Sequence, residues 1–340
     1  MIRTIHRIFL SGASLRRPFT REFFPPRRRI VPLLLSLLFL LMAAPASAER
    51  ACRHLVILGD PHVPGQHMAA KEQVLQTVNS WPDVDLVVAV GDLCEDRGTV
   101  DEYRTVKRFF GGLAKPFLPI PGNHDVVYRD ELNANGRRVR GDDASREEKR
   151  RRFRETFGLA ADYHSRKMGA YLLVFLAPER PEHLAEMSYR QVDWLRSELK
   201  KNRRLPTIVF FHAPLRGTLP DYNFRVNTPN YIAQPADRIH DVLMENPQVF
   251  LWVSGHTHTV PFRDGFASPI NTYGKHVTNI HNPDMNRAGI WTNSLYLFPD
   301  RIVIRTYDHR KGAWLPELER TIRPEDPRKT SGRSRAGIPP

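Results

Sequence analysis

Short apolar runs alternate with amphipathic segments in the region that begins near residue 54. Residues 54–59, 86–90 and 117–120 are apolar runs of strand length, each followed by a glycine or proline turn. Residues 71–81 and 100–113 lie between these runs and carry apolar side chains at helical spacing. Strands that alternate with helices predict a parallel sheet covered by helices, with ligands beyond the carboxyl ends of the strands.

The second half of the chain continues the pattern with further strands and a helix. Three more apolar runs have strand length, at residues 171–176, 206–211 and 249–254. Ser188 with Gln191 forms a capping-box pattern that begins a predicted helix. Residues 290–306 alternate in polarity around a Pro-Asp turn, which predicts an antiparallel hairpin.

One charged segment, residues 129–152, interrupts this pattern. We interpret it as a solvated excursion, because it is rich in charge and contains glycine. Its end is predicted to be helical: Ser145 and Glu148 form a second capping-box pattern, and Phe153 follows with an apolar partner one turn later.

The first 48 residues have the pattern of an export signal. An arginine-rich start precedes an apolar run at residues 30–44, and Ala46-Ser47-Ala48 is a small-residue cleavage pattern. The apolar run is shorter than the ~20 residues that a membrane-spanning helix needs. We therefore expect cleavage near Ala48, a periplasmic or secreted mature chain, and no transmembrane span in it. The export route, general or twin-arginine, stays open.

The interpretation of the net charge changes once the positions of the charged residues are considered. The chain has 340 residues and a formal net charge of +14, which alone suggests a nucleic-acid or membrane partner. Residues 1–48 hold eight arginines and one acid, Glu22, so half of that net charge lies in the signal. The remainder gives no specific nucleic-acid signal. Residues 49–322 are predicted to form the folded domain, and residues 323–340, rich in proline, serine and basic side chains, a disordered tail.

The two cysteines of the predicted domain are not expected to form a disulfide with each other. Cys52 precedes the first predicted strand, and Cys94 follows the end of the second. In parallel neighbouring strands these positions lie at opposite ends, beyond the ~7 Å Cα separation that a disulfide tolerates.

Polar motifs rich in histidine and aspartate follow five of the predicted strands. Each alone is compatible with an ordinary turn or a hydrogen-bonded core side chain. Together, at one end of a sheet, they predict a divalent metal site. The candidate ligands are two aspartates, one asparagine and four histidines: Asp60, His62, Asp92, Asn123, His212, His256 and His258.

Seven ligands exceed the coordination of one tetrahedral ion and fit two ions that share a carboxylate. Two such ions clamp the attacking and leaving oxygens of an in-line displacement, which suits phosphoester hydrolysis. Because oxygen and imidazole donors are mixed and cysteine is absent from the set, manganese, zinc and iron all remain open.

The motif set resembles the calcineurin-like metallophosphoesterases over roughly residues 54–306. The resemblance implies a four-layer α/β sandwich of two mixed β-sheets flanked by helices. It implies that a hydroxide bridging two metal ions attacks phosphorus. By position, Asp60, His62 and His258 would hold one ion and Asn123, His212 and His256 the other, with Asp92 shared.

Two further residues take roles by the same resemblance. His124 would lie over the leaving oxygen, and Asp125 would fix the orientation of the His124 imidazole. A helix N-cap is the alternative for Asp125, and the two roles are compatible. Purple acid phosphatases would carry a tyrosine where Glu95 stands, so no purple iron site is expected. Arg97 and His281 are weaker candidates for contact with substrate.

The predicted activity is hydrolysis of a small-molecule or headgroup phosphoester. The set is closest to bacterial phosphodiesterases of the cyclic-nucleotide and glycerophosphodiester type, which favours diesters. A phosphomonoesterase with the same site is one alternative, and a non-catalytic anion-binding module on the same fold is another. The sequence leaves the oligomeric state open.

Overall fold

Residues 52–324 are described by a computed structural model in which two six-stranded sheets stack face to face. The predicted signal at residues 1–48 and the predicted tail beyond residue 324 lie outside the described residues. The strands are β1 Arg53–Leu58, β2 Val84–Val90, β3 Phe117–Ile120, β4 Tyr128–Leu132, β5 Arg138–Arg140, β6 His164–Met168, β7 Tyr171–Phe175, β8 Thr207–Phe210, β9 Val249–Ser254, β10 Thr272–Tyr273, β11 Val277–His281, β12 Trp291–Phe298, β13 Arg301–Asp308 and β14 Ala313–Ile322. The α-helices are α1 Met68–Ser80, α2 Val100–Phe110, α3 Asn123–Val126, α4 Asp143–Phe157, α5 Tyr189–Lys201 and α6 Ala236–Glu245.

Both sheets are mixed. The first has the order β14-β13-β12-β1-β2-β3, with β1, β2 and β3 parallel and the remaining neighbours antiparallel. The second has the order β10-β11-β9-β8-β7-β6, with β7, β8, β9 and β11 parallel. The parallel strands therefore bring their carboxyl ends to one edge of each sheet.

Three apolar cores define four layers. The central core lies between the sheets and includes Leu55, Val88, Phe175 and Phe210. A second core lies under α1, α2 and α4, and a third lies under α5 and α6. The predicted four-layer α/β sandwich is confirmed. Among the described residues, no helix combines the length and apolarity of a membrane span.

The predicted strands and hairpin recur with small shifts of their ends. β3 and β9 have the predicted bounds, and β12 pairs antiparallel with β13 as expected. Cys52 and Cys94 form no disulfide with each other, as predicted, since β1 and β2 are parallel neighbours.

The charged excursion is more ordered than predicted. It forms an antiparallel hairpin, β4–β5, and then begins α4 at Asp143. The capping prediction there is wrong: Asp142 is the N-cap, and its side chain accepts the backbone N–H of Ser145. Lys149 is buried and donates to the backbone carbonyls of Arg97 and Gly98. The excursion is therefore docked on the domain through its charges.

Candidate metal centre

The seven predicted ligands come together where the carboxyl ends of strands from both sheets meet. The loops after β1, β2 and β3 supply the ligands of the first sheet, and the loops after β8 and β9 supply those of the second. Three groups of side chains have ligand atoms within 4.8 Å of one another, and Asp92 belongs to all three. These groups are Asp60, Asp92 and His258; Asp92, His212 and His256; and His62, Asp92 and His124.

The backbone of these loops is unusual for non-glycine residues. Five of the predicted ligands have left-handed backbone conformations, with φ between 36° and 64°: Asp60, His62, Asp92, His256 and His258. Such conformations cost energy for residues with a Cβ and persist only where surrounding structure holds them. The loops thus direct the side chains inward at a cost that the strands on either side must offset.

Glycines next to the ligands allow close approach of the loops. A Cβ added at Gly255 would lie 2.5 Å from Asp60 Oδ2, and one at Gly122 would lie 2.3 Å from Asp92 Oδ1. Neither distance is tolerated between non-bonded atoms, so both positions require glycine. These two glycines are therefore part of the geometry of the centre.

Four lone-pair donors converge at one side of the centre. His212 Nδ1 lies 2.9 Å from the Val90 carbonyl, and His256 Nε2 lies 2.8 Å from the Asn230 carbonyl. Since a carbonyl only accepts, these nitrogens carry ring protons, which in a neutral ring leaves a lone pair on the opposite nitrogen. Those two nitrogens face each other at 3.0 Å.

Two side-chain oxygens, from Asn123 and Asp92, also lie close to His212 Nε2. Asn123 Oδ1 lies 3.0 Å from His212 Nε2, and Asp92 Oδ2 lies 3.3 Å from it. With both rings neutral, four lone-pair donors at such distances would repel one another, so a positive charge, a proton on His212 or a metal ion, must lie among them. The donor set therefore fits a divalent cation.

A second pair of imidazoles faces inward at the other side. His62 Nε2 lies 3.2 Å from His258 Nε2. The opposite nitrogen of each ring faces a carboxylate: His62 Nδ1 is 3.9 Å from Glu95 and His258 Nδ1 is 3.8 Å from Asp284. Carboxylates behind metal-binding histidines orient the ring and increase its basicity. The sequence prediction did not identify Glu95 or Asp284 in this role.

The pKa values of the cluster reflect burial and mutual charge. Burial lowers the pKa of His62 to about 3, and burial together with His212 lowers that of His256 to about 3. Burial opposes protonation of His212, but the Asp92 carboxylate raises the pKa of His212 to about 9. Burial also raises the pKa of Asp60 well above its usual value. The centre thus favours one positive charge beside Asp92 and neutral imidazoles around it.

Asp125 has a different role from the predicted one. Its fully buried carboxylate accepts the backbone N–H groups of Gly122 at 2.8 Å, Leu93 at 3.1 Å and Cys94 at 2.9 Å. The predicted contact with the ring of His124 is wrong, because all these bonds lead to backbone. Asp125 instead joins the loop that carries Asp92 to the loop that carries Asn123 and His124.

His124 lies at the rim of the centre, as its predicted role requires. Its backbone N–H donates to Asp92 Oδ1 at 2.8 Å, and its Nε2 lies 3.9 Å from Asp92 Oδ2. The ring is 5.0 Å from that of His62, centroid to centroid, and is contacted on its outer side by Arg138. Arg138 lies in the charged hairpin, where no sequence pattern singled it out.

The two weaker sequence candidates do not contribute to the centre. His281 is fully buried in β11 and contacts the Thr218 carbonyl through Nε2 at 3.0 Å, so it does not reach a substrate. Arg97 pairs with its neighbour Asp96 at 2.8 Å, and its carbonyl accepts from Lys149.

Two curated relatives align with parts of the chain. A 3′,5′-cyclic-nucleotide phosphodiesterase of Nostoc sp. is 27% identical over 178 residues, which are 52% of this chain and 57% of that protein. A probable glycerophosphodiester phosphodiesterase of Arcobacter nitrofigilis is 42% identical over 59 residues, 17% of this chain and 21% of that protein. The chain therefore spans less than two thirds of the length of either relative.

Solved structures share the fold at low identity. A dimetal phosphatase from Danio rerio has a TM-score of 0.57 and 12% identity, over 80% of this chain and 99% of that one. A purple acid phosphatase from yellow lupin has a TM-score of 0.56 and 16% identity, over 80% of this chain and 54% of that one. Residues 53–260, which include all seven candidate ligands, match the family described as calcineurin-like phosphoesterase. The chain belongs to the calcineurin-like phosphoesterase family.

Proposed function

We propose that this chain is an exported phosphodiesterase that depends on two divalent metal ions. The observation that carries the proposal is the convergence of buried imidazole nitrogens and side-chain oxygens around Asp92. A buried cluster of this kind is costly unless cations compensate it, and two cations near one carboxylate suit phosphoester hydrolysis. Family membership and the names of the two curated relatives support the same reaction class.

The ligands divide into two sets around the shared carboxylate. Asp60, His62 and His258 would hold one ion, with Glu95 and Asp284 behind the two histidines. Asn123, His212 and His256 would hold the other, with the Val90 and Asn230 carbonyls fixing the ring protons. Asp92, a member of all three side-chain groups, would contact both ions. Manganese, zinc and iron all suit this mixture of nitrogen and oxygen donors.

The protein side chains contribute positioning and proton transfer. When bound, the ions would activate water and stabilise negative charge on the phosphoryl oxygens. His124 is held beside Asp92 by its own backbone N–H, and the leaving oxygen of the ester would lie next to its ring. There it would donate a proton or stabilise the developing charge. Asp125 would act as a positioning residue, because it fixes the two loops that carry Asp92 and His124.

A diester substrate is favoured over a monoester. Both curated relatives are named as phosphodiesterases, one for cyclic nucleotides and one, as probable, for glycerophosphodiesters. We expect a small molecule or a lipid headgroup as the phosphoester. The arginine-rich start and the small-residue pattern at Ala46-Ser47-Ala48 support export.

The test combines elemental analysis of the purified protein with a phosphoester panel. We expect two equivalents of transition metal and faster turnover of bis(p-nitrophenyl) phosphate than of p-nitrophenyl phosphate, with activity lost to chelators. The reverse order of rates would instead indicate a monoesterase. Metal-loaded protein that hydrolyses no ester but binds anionic polymers with steep salt dependence would be an anion-binding module. N-terminal sequencing of the mature protein from a cell envelope fraction tests cleavage near Ala48.

A further inference from the structure

The charged hairpin β4–β5 lies beside His124 at the rim of the metal centre. The rings of Tyr128 and His124 meet edge to face, with centroids 5.9 Å apart. The guanidinium of Arg138, on the opposite strand of the hairpin, lies 5.2 Å from the centroid of the Tyr128 ring. This arrangement brings a permanent cation next to the ring of His124.

The contact between Arg138 and His124 is not a well-aligned hydrogen bond. Arg138 Nη1 lies 3.1 Å from His124 Nδ1 and 3.1 Å from His124 Nε2. The two ring nitrogens point in divergent directions, so one N–H cannot be aligned with both. A neutral imidazole also offers an acceptor at only one of them. The N–H donors of Arg138 can therefore exchange this contact for a better acceptor.

Arg138 also keeps unused donor capacity. Its Nε lies 3.4 Å from Asp96, and its side chain is 41% exposed. Within residues 52–324, no acceptor pairs with its Nη2. A guanidinium has five N–H donors in a planar fork that matches the oxygens of a phosphoryl group. The guanidinium, whose Nη1 lies next to the ring of His124, thus has donors available for an anion.

The distance from Arg138 to the metal ligands fits a shared phosphoryl group. His124 Nε2 lies 3.1 Å from Arg138 Nη1 and 3.9 Å from Asp92 Oδ2. Because both separations start at the same atom, Nη1 is no more than about 7 Å from the shared carboxylate. A phosphoryl group next to Asp92 is therefore within reach of the guanidinium.

The hairpin is fixed rather than freely suspended. Arg140 donates to the carbonyls of Pro181 at 2.8 Å and Glu182 at 2.7 Å, and to Asn230 Oδ1 at 3.0 Å. The carbonyl of Asn230 in turn accepts from His256. On the other side, Asp130 pairs with Lys149 and Arg152 of α4. The backbone that carries Arg138 is therefore held in place before substrate arrives, which lowers the entropic cost of binding.

We propose that Arg138 binds a non-bridging oxygen of the substrate phosphoryl group, on the same side as His124. The proposal rests on the proposed phosphoesterase function and adds a residue to it. The cation would compensate the negative charge that the phosphate carries and orient the ester so that its leaving oxygen faces His124. No bond to Arg138 forms or breaks in this role.

The test measures binding of inorganic phosphate to the metal-loaded full-length protein by calorimetry, with elemental analysis of each variant. In Arg138→Gln, we expect phosphate to bind about 10- to 100-fold more weakly, because a charge-assisted hydrogen bond is lost, while metal content stays unchanged. KM for bis(p-nitrophenyl) phosphate should rise in parallel. Arg138→Lys should recover part of the affinity, since it keeps the charge without the fork.

Arg137→Gln is the matched control. Arg137 is exposed in the same hairpin, one residue away from Arg138. Its substitution by glutamine removes the same charge as Arg138→Gln. We expect wild-type affinity in this variant. Equal weakening of phosphate binding in both variants would overturn the proposal and indicate an effect of general surface charge. Unchanged phosphate affinity in Arg138→Gln would also overturn it. Wild-type protein that binds no phosphate would overturn it as well. If wild type hydrolyses no ester but Arg138→Gln still weakens phosphate binding, the proposed function fails and the anion contact stands.

Discussion

The carboxylate of Asp60, in the loop after β1, accepts the backbone N–H of His256, in the loop after β9, at 3.1 Å and 2.9 Å. This contact joins loops of the two sheets at the candidate metal centre. It exists because Gly255 has no side chain, which lets the Asp60 carboxylate lie against the backbone. The two halves of the ligand set therefore depend on one close approach between a carboxylate and a glycine.

Substitution Gly255→Ala should disrupt metal binding without unfolding the sheets. The new methyl group would lie 2.5 Å from Asp60 Oδ2, so the loops after β1 and β9 must separate. We expect metal content to fall to one equivalent or less, measured by elemental analysis. Gly289→Ala is the control, since a Cβ there meets nothing closer than 3.4 Å. Full metal content in Gly255→Ala would contradict the role of this approach.

His124→Ala and Asp92→Ala should fail in different ways. His124 is proposed to act on the leaving oxygen, so its loss should leave both metals in place and reduce kcat about 10²- to 10⁴-fold. Asp92 is a member of every ligand group, so its loss should remove metal. Metal analysis of both variants separates these outcomes. The exposed His240→Ala serves as control and should match wild type. Metal loss in His124→Ala would make His124 a ligand instead.

The sequence predicted that the seven candidate ligands lie together because apolar runs mark where strands end. In parallel strands those ends share one edge, so the residue after each run is placed by topology alone. Asp125 shows the limit of this reasoning. Its neighbour in sequence is His124, but in the first turn of α3 a carboxylate reaches back to the backbone N–H of Gly122. Adjacency in sequence does not fix the direction of a side chain.

Arg138 and β14 were missed for related reasons. The hairpin that carries Arg138 has mostly charged, exposed side chains and hence no apolar periodicity to read. β14 contains Pro316 and lies at the edge of the first sheet, where a strand needs only one neighbour and tolerates proline. Glu95 and Asp284 act from loops behind their histidines, and their contacts depend on the fold rather than on spacing.

Asp125→Asn should destabilise the protein and loosen the centre. The asparagine amide has one acceptor and two donors, so at least one of the three backbone N–H groups that Asp125 binds would lose its partner. A buried unpaired donor costs about 1–3 kcal/mol. Urea unfolding measures this loss, with the exposed Asp241→Asn as control. An unchanged midpoint in Asp125→Asn would contradict the positioning role.

Glu95→Gln should weaken metal binding through His62. Glu95 lies 3.9 Å from His62 Nδ1, and its negative charge increases the basicity of the opposite nitrogen. We expect the affinity for one metal ion to fall about 10- to 100-fold, so that a competing chelator removes this ion while the second ion is retained. Competition titration with a chromophoric chelator gives both affinities. The exposed Glu72→Gln removes the same charge from α1 and should leave both unchanged.

The buried His281 should make stability depend on pH away from the metal centre. Burial lowers the pKa of His281 to about 3, the Thr218 carbonyl opposes this, and the charge of Arg320 acts in the same direction as burial. In the unfolded chain a histidine titrates near ~6.5. Below that value the unfolded state binds the extra proton first, so the free energy of unfolding falls as pH falls, by up to ~1.4 kcal/mol per pH unit. The stabilising contribution is complete above the unfolded pKa.

Urea unfolding of the full-length protein between about pH 7 and about pH 5 checks this dependence. His281→Gln retains a donor for the Thr218 carbonyl but no longer titrates in this range, so the slope of stability against pH should decrease by up to ~1.4 kcal/mol per unit relative to wild type. His240→Gln, exposed on α6, removes a histidine from the surface and should retain the wild-type slope. Equal slopes in His281→Gln and wild type would show that His281 accepts its proton without unfolding, which its complete burial argues against.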